Sequence, residues 1–215
     1  MNDISELEGP ITKLAGESFF ALFKESIEMM PYVNKFFFKR KLNQIERRVK
    51  EYAPQLRTLT YLNGTSKFPE EFIQEKIGPI VFADFIEEHE DAKILYILNG
   101  FQHVYFEENP DENIIYNHFD TLRSLRYGHV RRLFYHAGLD EVYPTKENVN
   151  RPEYQTYSKN IDTKLKSMDL IHIPTKFDDL DGKEWFEPET QHEVLAYGRE
   201  FLSFIRTKNI IPQQK

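Results

Sequence analysis

At 215 residues, with 40% hydrophobic and 14% aromatic residues, the chain can bury a core without staples and is too rich in core formers to be disordered. The absence of cysteine excludes disulfides, thiolate nucleophiles and cysteine-based zinc or iron–sulfur ligation. A formal charge of −7 excludes a protein whose whole surface wraps nucleic acid.

The start, Met1-Asn2-Asp3-Ile4-Ser5-Glu6, carries acids where a secretory leader needs bases, so the expected location is the cytoplasm. Residues 18–30 are apolar but interrupted by Lys24, Glu25 and Glu28, short of the roughly 20 apolar residues that span a bilayer. Over 14–30, Phe19, Phe20, Leu22, Phe23, Ile27 and Met30 recur near helical spacing, and Pro31 ends the element. A second helix is predicted from about 33 to 52 on the stripe Phe37, Leu42, Ile45, Val49 and Tyr52, closed by Ala53-Pro54. Its other faces are basic: Lys35, Lys39, Arg40, Lys41, Arg47, Arg48, Lys50 and Arg57 stand against only Glu46 and Glu51.

Pro69-Glu70-Glu71 reads as the start of a short helix to about Lys76, with acids at the positive end of the dipole, and Gly78-Pro79 as its break. One long central helix then carries Phe82, Phe85, Ile86, Ile94, Ile97, Leu98, Phe101 and Tyr105, with Gly100 inside it. Asn109-Pro110-Asp111-Glu112 marks another start, with Asn109 as the cap. Leu122, Leu125, His129, Val130 and Leu133 carry that pattern to Gly138, well placed for a left-handed cap.

Beyond Asp140 the texture changes, with Pro144, Asn148, Asn150 and Pro152 in a polar connection before a helix from about Lys159 to Met168. Leu170-Ile171-His172-Ile173 and Trp185-Phe186 read as two short strands joined across Asp181-Gly182. Thr190 and Glu193 have capping-box spacing ahead of a last helix on Val194, Leu195, Phe201, Leu202 and Ile205. The expected fold is therefore mainly α: a multi-helix domain over 1–138, a connection over 139–158, and a small winged-helix-like α+β subdomain over 159–215.

Candidate chemistry is sparse, and no phosphate-binding loop, dinucleotide fingerprint, nucleophile elbow, zincin helix or kinase motif is present. Asp84, Glu88 and His89 could share a hard cation, or form a solvated acidic face partly neutralised by Lys93. His129 and His136 share a helix with Arg123, Arg126, Arg131 and Arg132, which could grip phosphate or supply acid–base groups; alternatively His129 is core and the arginines pair with the acidic helix. Lys39, Arg40, Lys41, Arg47 and Arg48 are the expected partner-binding surface, for an acidic protein first, and for nucleic acid or an anionic membrane beside Phe36-Phe37-Phe38 as alternatives. Lys159, Lys164 and Lys166 would lie on a recognition helix if the tail reads nucleic acid. Seven acids against Lys183 over 178–193 would repel phosphates from the wing and favour a protein partner.

The basic run Phe36-Phe37-Phe38-Lys39-Arg40-Lys41, the acidic stretch from Ile80 to Lys93 leading into Leu95-Tyr96-Ile97-Leu98-Asn99, and Leu165-Lys166-Ser167-Met168-Asp169-Leu170-Ile171 ahead of Leu195-Ala196-Tyr197-Gly198-Arg199-Glu200-Phe201 together resemble the abortive-infection alpha family of bacterial and prophage proteins. The resemblance covers roughly residues 30 to 205, with Tyr96 where the family's pattern has Trp. It implies a role in antiviral defence and supplies no catalytic residues. The reading is a non-catalytic binding or accessory component of a phage-defence or mobile-element system, with no cofactor and with self-association possible. A winged-helix nucleic-acid-binding regulator and a small metal-dependent nuclease are the rivals.

Overall fold

Helical periodicity becomes helix over most of the chain. A computed structural model describes residue 9, residues 12–13, 35–62, 66–108, 110–139, 152–174, 176–177, 184–185 and 191–206, with the side chains of 35–42, 60–61, 152, 154, 176–177 and 184–185 outside that set. The predicted helix over 14–30 and the turn at Asp181-Gly182 lie outside the described residues. Among those described, the fold is mainly α with small antiparallel pairs near the C-terminus, as expected. No helix among them is long and apolar enough to cross a membrane. The chain divides into two units, residues 1–119 with 205–215, and residues 120–204.

In the first unit, α1 (Lys35–Glu51) is followed directly by α2 (Ala53–Leu62). Pro54 sits in the first turn of α2, where its missing N–H leaves no bond unmade, so Ala53-Pro54 opens a helix as well as closing one. Ile45 and Val49 from α1 and Ala53, Leu56 and Leu59 from α2 are buried; α1 packs on α3 (Gly78–Glu87) and α2 on α4 (Asp91–Phe106). The expected start at Pro69-Glu70-Glu71 is realised, and the chain then widens into a π-helical turn, Phe72–Ile77, in which the N–H of Gly78 bonds back to the carbonyl of Ile73. Gly78 keeps helical angles, φ −57° and ψ −53°, so Gly78-Pro79 begins α3 without breaking the chain's path. Phe82 meets Phe101 edge-on at 6.1 Å between centroids, and Phe101 meets Tyr105 at 5.5 Å, giving the unit an aromatic core.

The expected single central helix is two. Glu88 and Glu90 leave helical angles, and Asp91 begins α4. Likewise the pattern through Leu122 and Leu133 divides into α5 (Glu112–Ser124) and α6 (Tyr127–His136), because Arg126 is extended and the ring Nδ1 of His129 accepts its N–H at 2.9 Å. At the start of α5 the carboxylate of Asp111 accepts the N–H of Asn113, which makes Asp111 a cap at a place where the sequence offered Asn109.

In the second unit, α6 ends as expected on Gly138 at φ +69°, with the N–H of Leu139 reaching back to the carbonyl of Phe134. α7 (Pro152–Ser167) begins seven residues before the predicted start, so about a third of the expected connection is helix. It closes on Asp169 at φ +54°, with the N–H of Leu170 bonded to the carbonyl of Leu165. β1 (Ile171–His172) pairs antiparallel with β4 (Glu193–Val194), and β2 (Lys176–Phe177) with β3 (Glu184–Trp185). The first predicted strand thus pairs with 193–194, and Trp185 pairs with Lys176. Glu193 is a strand residue, Thr190 of the expected capping box lies outside the described residues, and α8 (Ala196–Ile205) starts later than expected.

Gly198 explains how α8 meets this ribbon. A Cβ at that position would stand 2.2 Å from the carbonyl oxygen of Leu170 and 2.9 Å from a methyl of Val194. The obstructing atom is backbone, so it cannot swing aside. Gly198→Ala is expected to destabilise the protein by about 3 kcal/mol in urea denaturation, as an overpacked core site does.

Candidate functional site

The basic helix α1 turns its strongest cation inward. Arg48 has no exposed side-chain surface. Its guanidinium donates to the main-chain carbonyls of Phe85 and Glu88, to that of Ile86 at 3.3 Å, and to Asp91 Oδ1 from Nε at 3.0 Å and Nη2 at 2.8 Å. It therefore satisfies the carbonyls that α3 leaves without helical partners at its end, where the helix dipole also favours a cation. This contact produces the break between α3 and α4. Arg47 reaches the other oxygen, Asp91 Oδ2. Asp91 is pushed up by burial, but the two arginines outweigh that and hold its carboxyl below the usual range.

Arg48 accordingly cannot belong to a partner-binding surface, because a partner would have to pull it out of the fold. Arg47 is more than half exposed yet already paired, and Lys50 is paired with Glu46 at 2.6 Å. The side chains of Lys39, Arg40 and Lys41 lie outside the described residues. Arg48→Ala would leave three carbonyls and one oxygen of the Asp91 carboxylate without their donor. It is expected to cost about 3–5 kcal/mol, measured by urea denaturation, the range for breaking a buried charged contact.

The expected cation site does not assemble. Glu88 lies against Lys93, whose ammonium is 2.6 Å away and itself buried, and its other oxygen accepts the N–H of Glu90 at 2.9 Å. His89 is exposed at the turn, and no group of three or more His, Cys, Asp or Glu that could hold a metal occurs among the described residues. Burial pushes Glu88 up, and the bond from Lys93 more than reverses it, leaving a carboxylate committed to structure.

The second unit holds a cluster that sequence reasoning only half found. Asp162 on α7 is wholly enclosed; Arg132 from α6 meets it with a two-pronged contact, Nε to Oδ1 at 2.9 Å and Nη2 to Oδ2 at 2.8 Å. His136, one turn further along α6, approaches Oδ1 with Nε2 at 2.8 Å, and its Nδ1 accepts the main-chain N–H of His192 at 3.1 Å. An accepting Nδ1 places the ring proton on Nε2, so neutral His136 donates to Asp162. The His192 ring lies 5.0 Å from that of His136, and Gln191 donates to the carbonyl of Tyr135 at 3.0 Å, so this cluster ties β4's approach to α6. Arg132 also lies 4.9 Å from the ring centroid of Tyr135.

Two expectations change here. His136 is buried while His129 serves as a helix-start acceptor, and Arg132 pairs with α7 and not with the acidic helix. Asp162 was the missing member. Its signal was a lone acid between Ile161 and Leu165 on the buried stripe of its helix.

Burial pushes His136 down against the pull of Asp162, and burial followed by His136 pushes His192 down. In the first unit, burial with His103 nearby takes His118 down to about 4. Burial raises Asp162, but its bonds from His136 and Arg132 outweigh that and lower it. Depressed histidines bind fewer protons folded than unfolded, so their stabilisation is complete above about pH 6.5 and is lost as pH falls, for His118 down to about 4. His118 alone should remove on the order of 2 kcal/mol between pH 7.5 and pH 5. Urea midpoints at those two pH values are expected to differ accordingly, with a shallower difference in His118→Phe.

The outer face of α7 is of another kind. Thr156, Lys159, Asn160, Thr163, Lys166 and Ser167 are exposed and recur at three- and four-residue steps, with Lys164 half-buried beside them. From 156 to 167 the one acid is the enclosed Asp162. The three lysines of the expected recognition helix thus share a surface without an acid between 156 and 167, with the exposed Glu153 in the helix's first turn before it. Comparison with known proteins is negative: no family model matches the chain, and no curated protein or solved structure matches it.

Proposed function

We propose that this protein acts by docking and not by catalysis, through the cationic face of α7 in its second unit. The observation that carries the reading is the enclosure of Asp162, Arg132 and His136. These three side chains have no exposed surface and are engaged with one another, which leaves a substrate no path to this cluster. What they do is hold one face of α7 inward, so that its lysine-bearing face points out. The partner on this reading is a polyanion.

The order α5, α6, α7, antiparallel ribbon, α8 supports a winged-helix-like reading of this unit, in which α7 takes the place of the helix that precedes the wing. The resemblance to the abortive-infection alpha family adds a setting, a cytoplasmic accessory of phage defence or of a mobile element. The docking surface proposed from the sequence, on α1, loses Arg48, which is internal, and keeps Lys39, Arg40, Lys41 and the exposed but paired Arg47 as candidates.

The test is retention of the full chain on immobilised heparin, a generic polyanion. Retention at low salt is expected, with Lys159→Glu combined with Lys166→Glu eluting earlier and showing unchanged helical circular dichroism. A double variant that elutes with the wild type would remove α7 as the docking surface.

A further inference from the structure

Building on that docking reading, we infer that the occupant of the α7 face is the phosphate backbone of duplex DNA. The composition of the face separates a nucleic acid from an acidic protein. Protein interfaces concentrate aromatic residues, methionine and arginine at a desolvated centre and are depleted in lysine and serine. Phosphate-contacting surfaces use lysine, arginine and the hydroxyl and amide side chains of Ser, Thr, Asn and Tyr. The exposed side chains of α7 from 156 to 167 are Thr, Tyr, Lys, Asn, Thr, Lys and Ser, with no apolar anchor beyond the ring of Tyr157.

Geometry agrees with this. α7 is a 16-residue helix, about 24 Å long, with Lys159 and Lys166 seven residues or about 10 Å apart along its axis. A rod of this kind fits the roughly 12 Å-wide major groove of B-form DNA and not the deep, narrow major groove of duplex RNA. Thr163 and Ser167 bond their own helix carbonyls, at 2.8 Å to Lys159 and 2.7 Å to Lys164. The charged donors are therefore the three lysines, with Asn160 beside them.

Charge also sets the kind of binding. Seven acids against one lysine over 178–193 repel phosphates from the ribbon segment, so contact is confined to the helix. Three lysines predict a weak mode, insensitive to base sequence, with a slope of log affinity against log salt of about −3.

The experiment is fluorescence anisotropy of the full chain with a labelled 20-base-pair DNA duplex of arbitrary sequence, from low to moderate salt. The expected result is salt-dependent binding with that slope, reduced by about 2 in Lys159→Gln combined with Lys166→Gln, together with a loss of affinity of at least tenfold. Heparin retention without duplex binding, or with equal binding of poly-glutamate, overturns the DNA inference and leaves the docking reading standing. Loss of both removes both. Duplex binding that the double variant does not change, or equal binding of duplex RNA, also overturns the inference, the first in its location and the second in its groove.

Discussion

A carboxylate without water must find cations or donors, or give up its charge, and Asp162 is such a carboxylate. Arg132 supplies both charge and a fork that matches the two oxygens, and His136 adds a second donor on one of them. Directional contacts of this sort fix the rotation of a helix more closely than apolar packing does. Ile161 and Leu165 would tolerate a small roll of α7 against α6; a two-pronged arginine contact would not. Rotation is what decides which residues of α7 face outward, so the buried cluster and the cationic surface are consequences of the same register.

The first unit uses a buried cation in a different way. Arg48 meets a helix end, where carbonyls carry partial negative charge and lack intrahelical partners. By supplying donors to those carbonyls, it makes the end of α3 a stable feature of the interior. The chain can then turn through Glu88 and Glu90 and start α4 at Asp91, whose carboxylate completes the set. An apolar side chain of equal volume could fill the space but could not satisfy these oxygens.

Local signals in the sequence were legible, and those that depend on a distant partner were not. Gly138 announced a left-handed helix end because glycine alone is at ease there, and the end lies where its position indicated. Pro69-Glu70-Glu71 announced a helix start for similarly local reasons. The break after Glu87 was invisible because the apolar spacing continues through it and its cause, Arg48, lies about forty residues upstream. The strand pairing was equally hidden: each strand has two residues, and three residues separate the paired segments on the outgoing side against seven on the return. Alternation cannot specify a partner over so short a run. Asp162 stood in an apolar stripe, but its meaning required the knowledge that Arg132 and His136 face it from another helix.

Charge illustrates the same limit at the scale of function. The eight basic residues between 35 and 57 suggested an outward cationic surface, yet Arg48 is internal, Arg47 is paired with Asp91 and Lys50 with Glu46. α7 carries three lysines, two exposed and one half-buried, and the acid that stands among them, Asp162, faces inward. A polyanion at contact distance responds to this local field more than to the formal charge of −7, since salt screens charges beyond about 8 Å at physiological ionic strength. A net acidic chain can therefore present a cationic docking helix, provided the carboxylate on that helix is buried against an arginine. Asp162 and Arg132 meet that condition, and the same pair that sets the rotation of α7 also sets the sign of its surface.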